Sequence, residues 1–195
     1  MQKAVFLDRD GVINRKPPEG SYVTRWEEME FLPGVTEAVG LLNRGGFRVI
    51  VVTNQRCVAK GLITTLEVDS LHRRMCEVLA ASGAVIDEVR YCPHEIDPPC
   101  TCRKPKPGLL IEAARAHQID LAASWMIGDS DSDVQAGRNA GCKTAQILPN
   151  HEVASSNADV VAPSLLDAIQ RITLQDGRVG ALDTDILVTD RRGRA

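Results

Sequence analysis

The chain has 195 residues, enough for one domain with a substantial core and short for two of ordinary size. Its 44% hydrophobic and 25% charged content is that of a soluble globular protein and excludes a disordered or collagen-like chain. A formal charge of −3 argues against a nucleic-acid binder built on a basic face, and no stretch approaches the ~18 apolar residues that span a bilayer. Met1 leads straight into a strand with no signal-peptide layout, so a cytoplasmic monomer with no membrane partner is expected.

In chain order, residues 3–8 read as a buried strand, an apolar run that stops at Asp8-Arg9-Asp10-Gly11. Positions i and i+2 of a strand face one side, so Asp8 and Asp10 can share a small space. Crowded carboxylates repel, and Mg2+ is the usual remedy; an ordinary Asp-Gly surface turn is the alternative. A long loop containing Pro17-Pro18-Glu19-Gly20 and Tyr22 follows, then a helix over 33–44 with Val35, Val39 and Leu42 at helical spacing. The β-branched run 47–53 is a second strand, again ending in polar residues, Thr53-Asn54-Gln55. Thr64-x-x-Glu67 has the form of a capping box for a helix to residue 81, and residues 85–91 form a third strand.

Next comes Cys92-x-His94-x5-Cys100-x-Cys102, three thiols and an imidazole that make a complete tetrahedral set for a structural Zn2+. Prolines at 93, 98 and 99 exclude a helix there, so the metal would organise the loop. Arg103-Lys104-Pro105 follows directly; such a run is either a solvated surface or a set of cations aimed at an anion. A helix opens at Gly108. Residues 124–128 form a fourth strand, ending at Asp129-Ser130-Asp131-Ser132-Asp133, where Asp129 suits Mg2+ and Asp133 an orienting role. A short helix over 132–139, strands at 143–148 and 158–161, and a helix over 164–172 complete a domain of residues 1–173; residues 174–195 form a tail. His72, His117 and His151 read as solvated or capping residues.

Alternating strands and helices predict an α/β fold, a three-layer doubly wound parallel sheet with no separate cap domain and a zinc-stapled loop. Ligands of such sheets bind beyond the carboxyl ends of the strands, where Asp8, Thr53 and Asp129 would meet. Taken together, Asp8-Arg9-Asp10-Gly11-Val12, Thr53-Asn54-Gln55, Arg103-Lys104-Pro105 and Gly128-Asp129-x-x-x-Asp133 resemble the four motifs of the haloacid dehalogenase superfamily of phosphatases. The cysteine segment resembles its zinc-bearing branch, which contains D,D-heptose 1,7-bisphosphate phosphatase and histidinol-phosphate phosphatase.

That resemblance implies a Mg2+-dependent hydrolysis of a small phosphorylated sugar through an aspartyl-phosphate. A heptose 1,7-bisphosphate is the first candidate and histidinol phosphate the second. Asp8 would be the nucleophile, Asp10 the acid and base, and Thr53 and Lys104 the phosphoryl-stabilising groups. Mg2+ would be held by Asp8, the Asp10 carbonyl and Asp129. Gly20, Tyr22, Asn54, Gln55, Arg56 and Arg103 would bind substrate. The branch commonly follows Thr-Asn-Gln with serine, whereas Arg56 stands here, facing either a second phosphate or water. A non-enzymatic zinc-loop interaction module would require a missing catalytic group, and every group is present.

Overall fold

Val, Ile, Phe and Trp dominate the segments that pair at the centre of the molecule, as β-branched and aromatic side chains fit a pleated, buried surface. The computed structural model describes residues 1–149 and 157–175; His151 and all but the first residues of the expected tail lie outside them. The elements are β1 (Ala4–Leu7), α1 (Val35–Arg44), β2 (Arg48–Asn54), α2 (Thr65–Ala81), β3 (Glu88–Cys92), α3 (Gly108–His117), β4 (Trp125–Gly128), α4 (Asp131–Ala140), β5 (Lys143–Ile147), β6 (Val160–Ala162) and α5 (Leu165–Gln175). The last helix runs past residue 173, the expected limit of the domain.

All six strands pair in parallel, in the order β3-β2-β1-β4-β5-β6. Alternate residues enter opposite layers, following the two-residue period of a strand. Val5, Leu7, Val49, Val51 and Ile127 pack against α1, α2 and α5 through Leu42, Met75 and Ile169. Ala4, Phe6, Ile50, Val52 and Met126 pack against α3 and α4 through Leu110 and Ala136. This is the three-layer doubly wound architecture the alternation predicts. No connection among the described residues forms a separate cap domain.

From β1 the chain steps outward to β2 and β3, then crosses back to β4 on the other side of β1. The crevice beyond β1 and β4 is therefore the topological switch point, where such sheets take their ligands. Asp8 follows β1 and Asp129 follows β4, and the Asp8 amide donates to the Ile127 carbonyl at 2.9 Å, tying the two strand ends together.

Two local details differ in how well the sequence announces them. The Thr64/Glu67 capping box forms as read, with the Thr64 amide donating to Glu67 Oε2 at 2.8 Å and the Glu67 amide to Thr64 Oγ1 at 3.3 Å. β3 starts three residues later than its apolar run. The Asn43 side chain holds both backbone groups of Val85, accepting from its amide at 2.8 Å and donating to its carbonyl at 3.0 Å, so Val85 does not need a ladder partner.

Candidate active site

The crevice encloses about 340 Å3 and is lined by Asp8, Asp10, Thr53, Asn54, Arg103, Lys104, Asp129 and Asp133, with residues 16–22 along one side. At its floor Lys104 Nζ lies 2.8 Å from Asp8 Oδ1 and 2.6 Å from Asp133 Oδ1, and donates to the Val52 carbonyl at 2.8 Å. Two ion pairs and one hydrogen bond thus fix the direction of the ammonium. Lys104 is only 4% exposed; burial opposes its charge, but Asp133 and Asp8 outweigh this and hold its proton more firmly than usual.

The carboxylates respond in opposite directions. Burial pushes Asp8 up to about 7 against the pull of Lys104, with Asp133 and Asp10 adding to the rise. Burial also raises Asp129, partly countered by Lys16. For Asp10, burial is overcome by the Arg9 charge and by hydrogen bonds from Asn14, Arg9 and Gln55, which hold it below the usual carboxylate range.

Two glycines make the geometry possible. Gly11 has φ +93°, and a Cβ there would come within 2.4 Å of Asp129 Oδ2; at Gly128 it would meet Asp133 Cβ at 2.1 Å. Both turns must stay bare for the carboxylates to converge. Ligand oxygens of Asp8, Asp129 and Asp133 lie within 4.8 Å of one another, an all-oxygen set whose hardness fits Mg2+.

The cysteine loop also closes as a cluster. The Sγ atoms of Cys92 and Cys102 each lie 3.5 Å from Cys100 Sγ, and His94 Nδ1 lies 3.5 Å from Cys92 Sγ and 3.2 Å from Cys102 Sγ. Zinc–sulfur bonds of about 2.3 Å in a tetrahedron put their sulfurs about 3.8 Å apart, so the four donors fit that ion. The cluster is joined to the crevice: the Arg103 amide donates to Cys100 Sγ at 3.3 Å, and the Asn54 side chain grips the backbone of Lys104 at both its amide and its carbonyl.

Of the residues read as substrate contacts, Gly20, Tyr22, Asn54 and Arg103 line the crevice, and Arg103 Nη1 is a buried donor with no partner among the described residues. Gln55 and Arg56 are outside the lining. Gln55 is 1% exposed and spends its amide on Asp10 Oδ2 and Thr53 Oγ1, at 3.1 and 2.9 Å; Arg56 pairs with Glu95. His72 departs from its reading as a solvated residue: it is 4% exposed and accepts a hydrogen bond from Arg9. Arg9 and Lys16 were not legible as site residues. Arg9 is buried against Asp10, and Lys16 Nζ pairs with Asp129 Oδ2 at 2.6 Å. The signal for Arg9 was its place between two aspartates just past a buried strand, where a cation has a carboxylate within reach on either side.

The sequence model of the family described as HAD-hydrolase-like matches residues 101–168. A solved D,D-heptose 1,7-bisphosphate phosphatase from B. bronchiseptica, complexed with magnesium and phosphate, superposes with a TM-score of 0.81 at 32% identity, covering 90% of this chain and 99% of that one. Fold and relatives define a phosphatase of the haloacid dehalogenase class. The D-glycero-beta-D-manno-heptose-1,7-bisphosphate 7-phosphatase of Rhodopseudomonas palustris is 37% identical over 180 residues, 89% of this chain and 95% of that protein. The D-glycero-alpha-D-manno-heptose-1,7-bisphosphate 7-phosphatase of Mycobacterium bovis is 35% identical over 177 residues, 90% and 92% of the two chains. The chain belongs to this family of heptose-bisphosphate phosphatases. No helix among the described residues is long and apolar enough to cross a membrane.

Proposed function

We propose that the protein removes the 7-phosphate of D-glycero-D-manno-heptose 1,7-bisphosphate, with Asp8 as nucleophile. The observation that carries this reading is the buried Lys104 joining Asp8 to Asp133, beside Asp129, at the switch point of the sheet. Asp8 forms a bond to phosphorus as the ester oxygen leaves, and water then cleaves the aspartyl-phosphate. Asp10 gives the leaving oxygen its proton and later takes one from the water. Its Oδ2 accepts from two donors against three at Oδ1, so fewer contacts have to give way for Oδ2 to carry that proton. A phosphate dianion arriving beside Asp10 raises its proton affinity from the low value its neighbours impose. Thr53 donates its hydroxyl proton to the phosphoryl group, and Lys104 balances the charge of Asp8.

Asp8, Asp129 and the Asp10 carbonyl would hold Mg2+, which supplies positive charge that keeps Asp8 ionised and polarises the phosphoryl group. Arg103, with its unpartnered Nη1, is the cation for the second phosphate, while Gly20, Tyr22 and Asn54 shape the rim. Phosphate release measured on heptose 1,7-bisphosphate, histidinol phosphate and 3′-phosphorylated DNA tests the assignment. The bisphosphate is expected to have the highest kcat/KM, and a preference for either of the others would remove it.

Cys92, His94, Cys100 and Cys102 would hold Zn2+, and Cys102 adjoins the two cations by covalent bonds. Stripping zinc with a chelator and restoring Mg2+ should therefore cut activity by about 100-fold, the scale of a lost charge-stabilising group, and zinc should restore it. Metal content and phosphate release measured on one sample check this; full activity without zinc would uncouple the loop from the site.

A further inference from the structure

Asp10 is held by more than the turn it sits on. Arg9 grips it end-on, with Nε 3.1 Å from Oδ1 and Nη2 2.9 and 2.8 Å from Oδ1 and Oδ2. This fork uses one edge of the guanidinium. On the other edge Nη1 lies 3.0 Å from His72 Nε2. Arginine has donors only, so His72 Nε2 must accept, which requires a neutral ring with its proton on Nδ1. Both side chains are closed off from water, Arg9 at 1% and His72 at 4% exposure.

His72 is in turn braced from two elements. It sits on α2 one residue from Leu71, which packs into the core with Met75 and Leu79, and its ring meets the edge of Tyr91 on β3 with centroids 5.4 Å apart. The Tyr91 hydroxyl donates back to Asp69 of α2 at 2.9 Å. The crevice itself does not reach His72. Nothing in phosphate binding calls for a buried neutral imidazole behind an arginine, whereas aiming a carboxylate does.

We propose that Arg9 and His72 are positioning residues for the reaction: His72 fixes the plane of the Arg9 guanidinium, and Arg9 fixes the direction in which Asp10 presents its carboxyl to the leaving oxygen. This rests on Asp10 being the proton donor. Without the acceptor at His72, Arg9 keeps its charge but can turn about its bonds to Asp10, and proton transfer falters while phosphoryl binding does not. In the first step, formation of the aspartyl-phosphate, the effect is selective for esters whose leaving group needs a proton; in the second, where Asp10 takes a proton from water, it is common to all esters. A sugar alkoxide needs one; p-nitrophenolate does not.

The test is rapid-mixing kinetics of the full chain with Mg2+, following leaving-group release in the first turnover so that formation of the aspartyl-phosphate is read apart from its hydrolysis, and comparing heptose 1,7-bisphosphate with p-nitrophenyl phosphate for Asp10→Asn, His72→Leu, His72→Gln and Arg9→Lys. General acid catalysis contributes about 10²- to 10⁴-fold, and misaiming the acid should remove a part of that. His72→Leu and Arg9→Lys are expected to lose about tenfold or more in the first-turnover rate on the sugar ester, with the half-saturating substrate concentration and the first-turnover release of p-nitrophenolate held within about threefold. His72→Gln, whose side-chain oxygen can accept from Arg9, should recover most of the loss. Asp10→Asn must show the same selectivity, more strongly; if it does not, the assignment of Asp10 falls and this inference with it. If Asp10→Asn is selective while Arg9→Lys and His72→Leu leave both rates unchanged, or His72→Leu lowers both equally, the inference alone is overturned. Should His72→Leu not fold, Arg9→Lys against Asp10→Asn decides the matter.

Discussion

Asp8→Asn is expected to fold like the parent and release no measurable phosphate, a loss of about 10⁴-fold or more, as removal of a covalent nucleophile typically produces. The amide is nearly the same size as the carboxylate but has no free electron pair of comparable basicity to form the bond to phosphorus. The fold should tolerate the change because Lys104 retains Asp133 at 2.6 Å and the Val52 carbonyl at 2.8 Å. Burial already raises Asp8 to about 7, above its ordinary value of 3.8. A carboxyl raised by folding contributes its full stability below its unfolded value and loses it as pH climbs through the folded one. Asp8 therefore costs stability progressively between about pH 4 and 7, and Asp8→Asn should relieve that cost. Melting temperatures from pH 5 to 8 in magnesium-free buffer check this second half. The variant should gain on the parent as pH rises. Retained turnover would show that another group attacks phosphorus.

How much of this was legible depends on whether a feature is local in sequence. The strand ends could be read because an apolar run that stops at polar residues is visible in one window, and three such stops, at Asp8, Thr53 and Asp129, converge once the sheet is parallel. The Thr64/Glu67 cap and the Cys-His cluster are likewise short-range patterns whose chemistry admits few alternatives. What escaped depends on contacts between distant segments. Arg9 and His72 are 63 positions apart, and nothing in α2 distinguishes His72 from a solvated histidine until the helix is laid against β1 and β3. Lys16 reaches Asp129 across 113 positions from within a loop with no periodicity. Gln55 shows a different failure. It sits in a recognisable motif beside the crevice, but its side chain turns inward to Asp10 and Thr53, a direction that no spacing encodes.

Lys104→Met should cause the largest combined loss, in stability as well as rate. Lys104 is 4% exposed, Asp133 1% and Asp8 9%, so the ammonium is the shared counter-charge of two carboxylates that water scarcely reaches. Removing one partner of a buried ion pair leaves the other uncompensated, at a cost of about 3–5 kcal/mol, and in a chain of this length that lowers the melting temperature by about 10 °C. The rate should fall separately by about 10²- to 10³-fold through loss of a fixed charge beside the reacting group. The two losses can be pulled apart. Adding Asp133→Asn to Lys104→Met removes one of the stranded carboxylates, so part of the stability should return, because an ion pair deleted whole costs less than one broken in half. The rate should not return, since nothing in the double variant replaces the cation beside Asp8. Thermal melts and phosphate release on the two variants give both readings; a double variant no more stable than Lys104→Met would mean that Asp133 does not depend on Lys104 for its charge.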